Sequence, residues 1–236
     1  MKLSLPIWTK EDIEPFLTYL RSFQRKEKEA WARKILNTKL DLLVIPTKTM
    51  HQITDDIYQG NFKSFLDLQI FDCYESIAIY GLLMTRIKPF HDMKPYVNIY
   101  THVMENWAHC DLLSFHITDQ DQKEYLLLSK ELLNDEKHFA RRLSLFILFQ
   151  CIKDPSVLPI VFQSLEMLID EKEYYVIMMA GWLLSECIIK YKHESLAFIT
   201  TSMKLNKKIL NKGIQKCRES RRLTQIEKDE LLQYKK

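Results

Sequence analysis

Three segments do most to limit what this chain can fold into. Residues 139–152 are apolar nearly all round apart from Arg141 and Arg142, 174–191 are strongly apolar, and 72–88 carry Ile77, Ala78, Tyr80, Leu82 and Leu83. Each is too long for an ordinary strand, and a helix apolar on most sides has to be packed between other helices. Between them lie amphipathic stretches at 25–38, 96–107, 121–133 and 156–169, separated by prolines or short polar turns, with Thr9 and Thr47 placed to cap helices. Only 4 Gly and 7 Pro occur in 236 residues, far below the turn content of a sheet protein or an α/β nucleotide binder. The expected fold is therefore all-α, with roughly a dozen helices.

Two of the apolar helices share a shape: Ile77-Ala78-Ile79-Tyr80-Gly81-Leu82-Leu83-Met84 and Ile177-Met178-Met179-Ala180-Gly181-Trp182-Leu183-Leu184 each carry a glycine in mid-helix. Glycine there costs about 1 kcal/mol against alanine, so its use is close helix contact. Helix pairs recur at roughly the period of HEAT-like hairpins. The expected architecture is a single domain over 1–236, an α-solenoid whose curvature leaves a concave face.

The charge is small overall, +3, but unevenly spread: residues 204–236 hold 11 Lys/Arg against 4 Asp/Glu, a local +7 that leaves −4 for the rest. That basic end suits a polyanion, or simply makes a solvated helical surface. No Gly-rich phosphate loop is present, so nucleotide hydrolysis and dinucleotide binding have almost no support in the sequence. Cys73, Cys110, Cys151, Cys187 and Cys217 are odd in number, scattered and without a CxxC pair, as expected of buried free thiols in a reducing cytosol. No apolar run reaches the ~18 residues of a membrane span, and the start is too short and too polar for a secretory leader. The expectation is a cytoplasmic monomer with no cofactor and no metal; His102, His109 and His116 are seven apart, ~10 Å along a helix, too far to share an ion.

Chemistry concentrates at few residues. In Glu105-Asn106-Trp107-Ala108-His109-Cys110-Asp111 an indole and a carboxylate stand four apart, on one helix face. Acid and ring quadrupole both attract a positive charge, held or developing. The plainer alternative is a core tryptophan and a helix-capping aspartate. Phe139-Ala140-Arg141-Arg142 sets two guanidinium groups on an otherwise core-bound helix, either snorkelling to the surface or forking onto phosphates. Trp182 is a second large ring in an apolar helix.

These pieces, in this order, resemble the bacterial DNA alkylation repair glycosylases of the AlkD type, built from HEAT-like repeats. The likeness covers roughly residues 31–222. It is carried by Asn106-Trp107 followed by Asp111, by Phe139-Ala140-Arg141-Arg142, by Tyr174-Tyr175-Val176 leading into Ala180-Gly181-Trp182-Leu183-Leu184-Ser185-Glu186, and by Ile214-Gln215-Lys216-Cys217-Arg218-Glu219-Ser220. The resemblance implies a concave face that holds duplex DNA. It also implies Asp111 as the catalytic acid, Trp107 and Trp182 as aromatic walls at the lesion, and Arg142 or its neighbour Arg141 as the phosphate ligand. One position departs: where the better-known members have an arginine three residues after the second tryptophan, this chain has Ser185.

The implied reaction is hydrolysis of the N-glycosidic bond of N3- or N7-alkylated purines in duplex DNA. Such a base is already cationic and leaves without a general acid; one carboxylate can stabilise the oxocarbenium-like sugar and direct a water. Two rival readings stand beside it: a non-catalytic helical-repeat module that binds DNA structures or a protein, and a protein scaffold with no affinity for nucleic acid.

Overall fold

The computed structural model describes residues 1–236 and is all-helical, with no strand. It contains two compact units, Met1–His116 and Ile117–Lys236. No helix is long and apolar enough to cross a membrane.

The first unit holds α1 (Ile13–Arg21), α2 (Lys26–Leu36), α3 (Thr47–Tyr58), α4 (Phe62–Asp67), α5 (Tyr74–Met84), α6 (Phe90–Val103) and α7 (Trp107–Asp111). Thr9 opens it much as expected: its amide and hydroxyl both donate to the Asp12 carboxylate, at 2.9 and 3.0 Å. Asn61 likewise caps α4, its side chain accepting from the Ser64 amide at 3.1 Å. All eleven residues of α5 are buried, against α3, α4, α6 and α7. Gly81 is where this packing is tightest, since a β-carbon there would lie 2.6 Å from the Tyr100 hydroxyl and 2.9 Å from Leu113. Behind it Tyr80 stacks parallel to Tyr100 with centroids 6.0 Å apart.

Three expectations for this unit change. Thr47 does not cap α3: it is the first residue of the helix, Pro46 stands at the cap position, and no side chain bonds there. The helical pattern at 96–107 ends early, since α6 stops at Val103 and Met104 turns extended; of the two courses open to the Trp107 segment, continuing that helix or beginning the next, it takes the second. On α2 the apolar side stays open, with Trp31 66% and Ile35 46% exposed and Ala32 the one buried residue.

The second unit holds α8 (Gln122–Leu133), α9 (His138–Cys151), α10 (Leu158–Met167), α11 (Tyr174–Lys190), α12 (Lys192–Thr201), α13 (Lys207–Glu219) and α14 (Gln225–Glu230). Helix α11 lies between α9 and α13, with α8 against α9 and α12 against α11. The α11–α13 contact runs through glycine on both sides. A β-carbon at Gly181 would fall 2.7 Å from that of Lys212, and one at Gly213 2.9 Å from Leu184. The mid-helix glycines thus serve the close approach expected of them.

All five cysteines are buried free thiols. Burial raises the pKa of Cys73, Cys151, Cys187 and Cys217, Cys151 and Cys217 to about 12.

Candidate active site

The Asn106–Asp111 segment is built by tertiary ties more than by its own helix propensity, since five residues are too few to hold a helix alone. Asn106 is buried and works in both directions. Its carbonyl oxygen caps α7 by accepting from the Ala108 amide at 2.8 Å, and its amide nitrogen donates to the Leu36 carbonyl at the end of α2. Beside it Glu105 accepts from the Thr38 hydroxyl at 2.7 Å, and the Trp107 indole N–H points at the Ile35 carbonyl at 3.4 Å. The chain leaves α2 through Asn37 in the left-handed region, φ 52°, which exposes those carbonyls to the incoming segment.

Trp107 and Asp111 therefore sit at the two ends of one fixed turn, both partly exposed. Beneath α7 lies Tyr74, which packs with Ala32, Leu42 and Ala108. Ala108 is three residues before Asp111, so it shares a face with the acid. Burial raises the Tyr74 phenol well above its usual pKa, and the carboxylates of Glu75 and Asp111 add to the rise. The phenol thus stays a neutral donor near the acid.

His109, between the two site residues, faces the core. Its ring stacks on Tyr74 with centroids 4.4 Å apart, and Nε2–H donates to the Tyr74 carbonyl at 3.1 Å. Nδ1 is buried without a hydrogen-bond partner. Burial lowers the His109 pKa from 6.5 to about 4, the weaker upward pull coming from the Tyr74 carbonyl and Glu105. The unfolded chain takes up the proton first, so folding loses stability as pH falls from about 6.5 to about 4, by about 3 kcal/mol in all. Glu75 opposes part of this. Burial raises its pKa despite hydrogen bonds from the Leu43 and Ile45 amides, so its proton uptake favours the folded state as the pH falls. Comparing urea midpoints of wild type and His109→Gln across that window isolates the histidine: the variant is expected to show a shallower acid loss.

The remaining sequence-predicted residues lie in the second unit. Arg141 does not reach out to solvent: Nε and Nη2 fork onto Glu171 at 2.7 and 3.3 Å, and Nη1 donates to the Asp135 and Glu136 carbonyls, both at 2.9 Å. Desolvation pushes Glu171 up, but the Arg141 guanidinium and the Glu173 and Lys172 amides outweigh it, and its pKa is net lowered. In this structure the Arg141 guanidinium is matched by a carboxylate and two loop carbonyls. Arg142 is 5% exposed and donates to the Tyr175 carbonyl at 2.7 Å, tying α9 to the first turn of α11. Neither arginine snorkels.

Trp182 is 36% exposed and rests on Phe149, centroids 4.5 Å apart, which in turn stacks parallel to Phe146. Ser185, one turn on, is 3% exposed, and its hydroxyl donates to the Trp182 carbonyl at 2.7 Å. Position 185 faces the packing against α13, where the Cys217 thiol approaches its carbonyl at 3.7 Å. Glu186, next to it, takes both Arg222 guanidinium nitrogens, at 2.8 and 2.5 Å.

Sequence reasoning missed Asn106 and Tyr74 as builders of the site. An Asn directly before an apolar turn was a capping signal that was available; nothing local pointed to Tyr74.

No curated protein and no solved structure matches this chain. A family model described as DNA alkylation repair enzyme does, over residues 17–216, a span that takes in Trp107, Asp111, Arg141, Arg142 and Trp182. The chain belongs to the family of DNA alkylation repair enzymes.

Proposed function

We propose that the protein is a DNA glycosylase that releases cationic N3- and N7-alkylated purines from duplex DNA, with Asp111 as the essential carboxylate. The observation that carries this is the fixed turn at Trp107–Asp111: an acid and an indole on one short helix, locked to α2 by a buried asparagine and not by the helix's own stability. A carboxylate held in place needs little reorganisation as positive charge develops on the sugar, which is where electrostatic catalysis gains most. It can also orient the attacking water. The alkylated base brings its own leaving-group activation, so no second acid is required. Trp107 and Trp182 offer π-faces to the cationic base or the sugar edge. Arg142 is the proposed phosphate ligand of the second unit, with Arg141 as the anchor that holds its helix. The finer architecture belongs to the same proposal: a HEAT-like α-solenoid over residues 1–236 whose concave face takes the duplex.

Ser185, where the better-known members have an arginine, favours the second reading, a non-catalytic helical-repeat module. The test is direct. Methylated duplex DNA incubated with the protein is expected to yield free 7-methylguanine or 3-methyladenine, read by chromatography, with the undamaged bases retained. Tight DNA binding with no base released would leave a binding module in place of an enzyme.

A further inference from the structure

Besides Arg142, the second unit carries a separate group of lysines on α13 and at the two chain segments beside it. A groove of about 570 Å³ runs between the first turns of α11 and α13. Its polar wall is made by Lys172, Lys208, Lys212, Lys235 and Lys236, and its floor by Tyr174 and Ile177; no acidic residue lines it.

Three observations set it apart from an ordinary lysine-rich surface. First, several cations of this unit are paired, Arg141 with Glu171, Arg222 and Lys190 with Glu186, Lys192 with Glu227 and Glu230, Lys216 with Glu219, whereas the groove gathers five that are not. None of the five groove lysines makes a salt bridge; Lys212 only donates to Gln215, at 2.8 Å. Second, the groove is shaped by specific packing. Gly181 lets the stem of Lys212 lie directly on α11, and Asn211 holds the Lys236 backbone from both sides, donating to its carbonyl at 2.6 Å and accepting from its amide at 3.1 Å. Third, Tyr174 is 63% exposed although it packs edge-on against Tyr175, whose carbonyl holds Arg142. Five ammonium groups without a salt bridge, around an aromatic floor, fit an extended ligand that alternates anionic and apolar surface.

We infer that this groove binds the sugar–phosphate backbone of duplex DNA, the lysines taking consecutive phosphates and Tyr174 lying against the deoxyribose between them. The inference deepens the proposed function, since it names the surface that holds the substrate. It does not depend on base release, because undamaged DNA has the same backbone.

The experiment measures binding of an undamaged, fluorescently labelled duplex by anisotropy over a series of salt concentrations. Each phosphate contact releases counterions and adds about 0.9 to the slope of log K against log salt. Lys208→Ala/Lys212→Ala is expected to flatten that slope by about 2 and to weaken binding at low salt by roughly ten- to a hundredfold. Lys235→Ala/Lys236→Ala should act in the same direction. Tyr174→Ala should weaken binding several-fold with the slope unchanged, because the contact it loses is apolar. Lys216→Ala, whose ammonium already pairs with Glu219, serves as the control and should leave the slope near wild type. The inference is overturned if the two double variants keep the wild-type slope, or if Lys216→Ala flattens it as much per charge. Base release by a protein whose slope ignores the groove lysines would sink the groove and spare the glycosylase. A groove-dependent slope without base release would do the reverse.

Discussion

Asp111→Asn is expected to lower the single-turnover rate of alkylpurine release by a hundred- to a thousandfold, on the order of the loss when one preorganised electrostatic group is removed from an active site. The substitution keeps the shape of the side chain and deletes its charge. Asp111 sits partly exposed at the last position of α7, and Glu105, Asn106 and Trp107 tie the start of that helix to residues 35–38. Circular dichroism checks that the variant is folded, and affinity for undamaged duplex should change little. Equal release rates in both proteins would take the carboxylate out of the mechanism. The loss should fall on the chemical step, because an interaction with charge that appears only at the transition state contributes nothing to ground-state binding.

Glu75→Ala is expected to cost the first unit about 4 kcal/mol of stability, the range for removing a buried charged acceptor from its donors. Glu75 is 1% exposed, and its two carboxylate oxygens accept from the amides of Leu43 and Ile45 at 3.1 and 3.3 Å. Between those amides Val44 sits at φ 58°, a conformation that a β-branched residue adopts only under constraint. Removing the carboxylate strands two buried donors and lets the strained turn relax, and the turn leads straight into Pro46 and α3. Chemical denaturation measures the loss. Glu75→Gln, with one oxygen left to accept, should fall between; a Glu75→Ala loss below 1 kcal/mol would mean that the 43–45 turn is held by other contacts.

The helices were legible because their signals are local. Thr9, Asn61 and Asp121 stand at helix starts, Pro89 and Pro155 mark boundaries, and the apolar runs of α5, α9 and α11 are buried as their composition required. The failures share one cause. The break after Val103 and the new start at Trp107 are set by Leu36 and Thr38, which accept from Asn106 and donate to Glu105 across a long stretch of chain. Arg141 likewise reads as a surface or ligand-binding cation until Glu171, thirty residues on, is seen to hold it. A pattern read along the chain reports period and caps; it does not report which distant side chain will satisfy a donor. The same limit explains Trp31, whose helix shows a clear apolar side that the fold leaves in water.

The five cysteines carry a consequence for a protein of this family. Small methylating electrophiles attack thiolates, and a thiol reacts in proportion to the fraction ionised and within reach. Cys110, like the other four, is enclosed by side chains, and for Cys151 and Cys217 an acidity near 12 leaves almost no thiolate at neutral pH. Methylating agents that damage DNA therefore find almost no reachable thiolate on the folded protein.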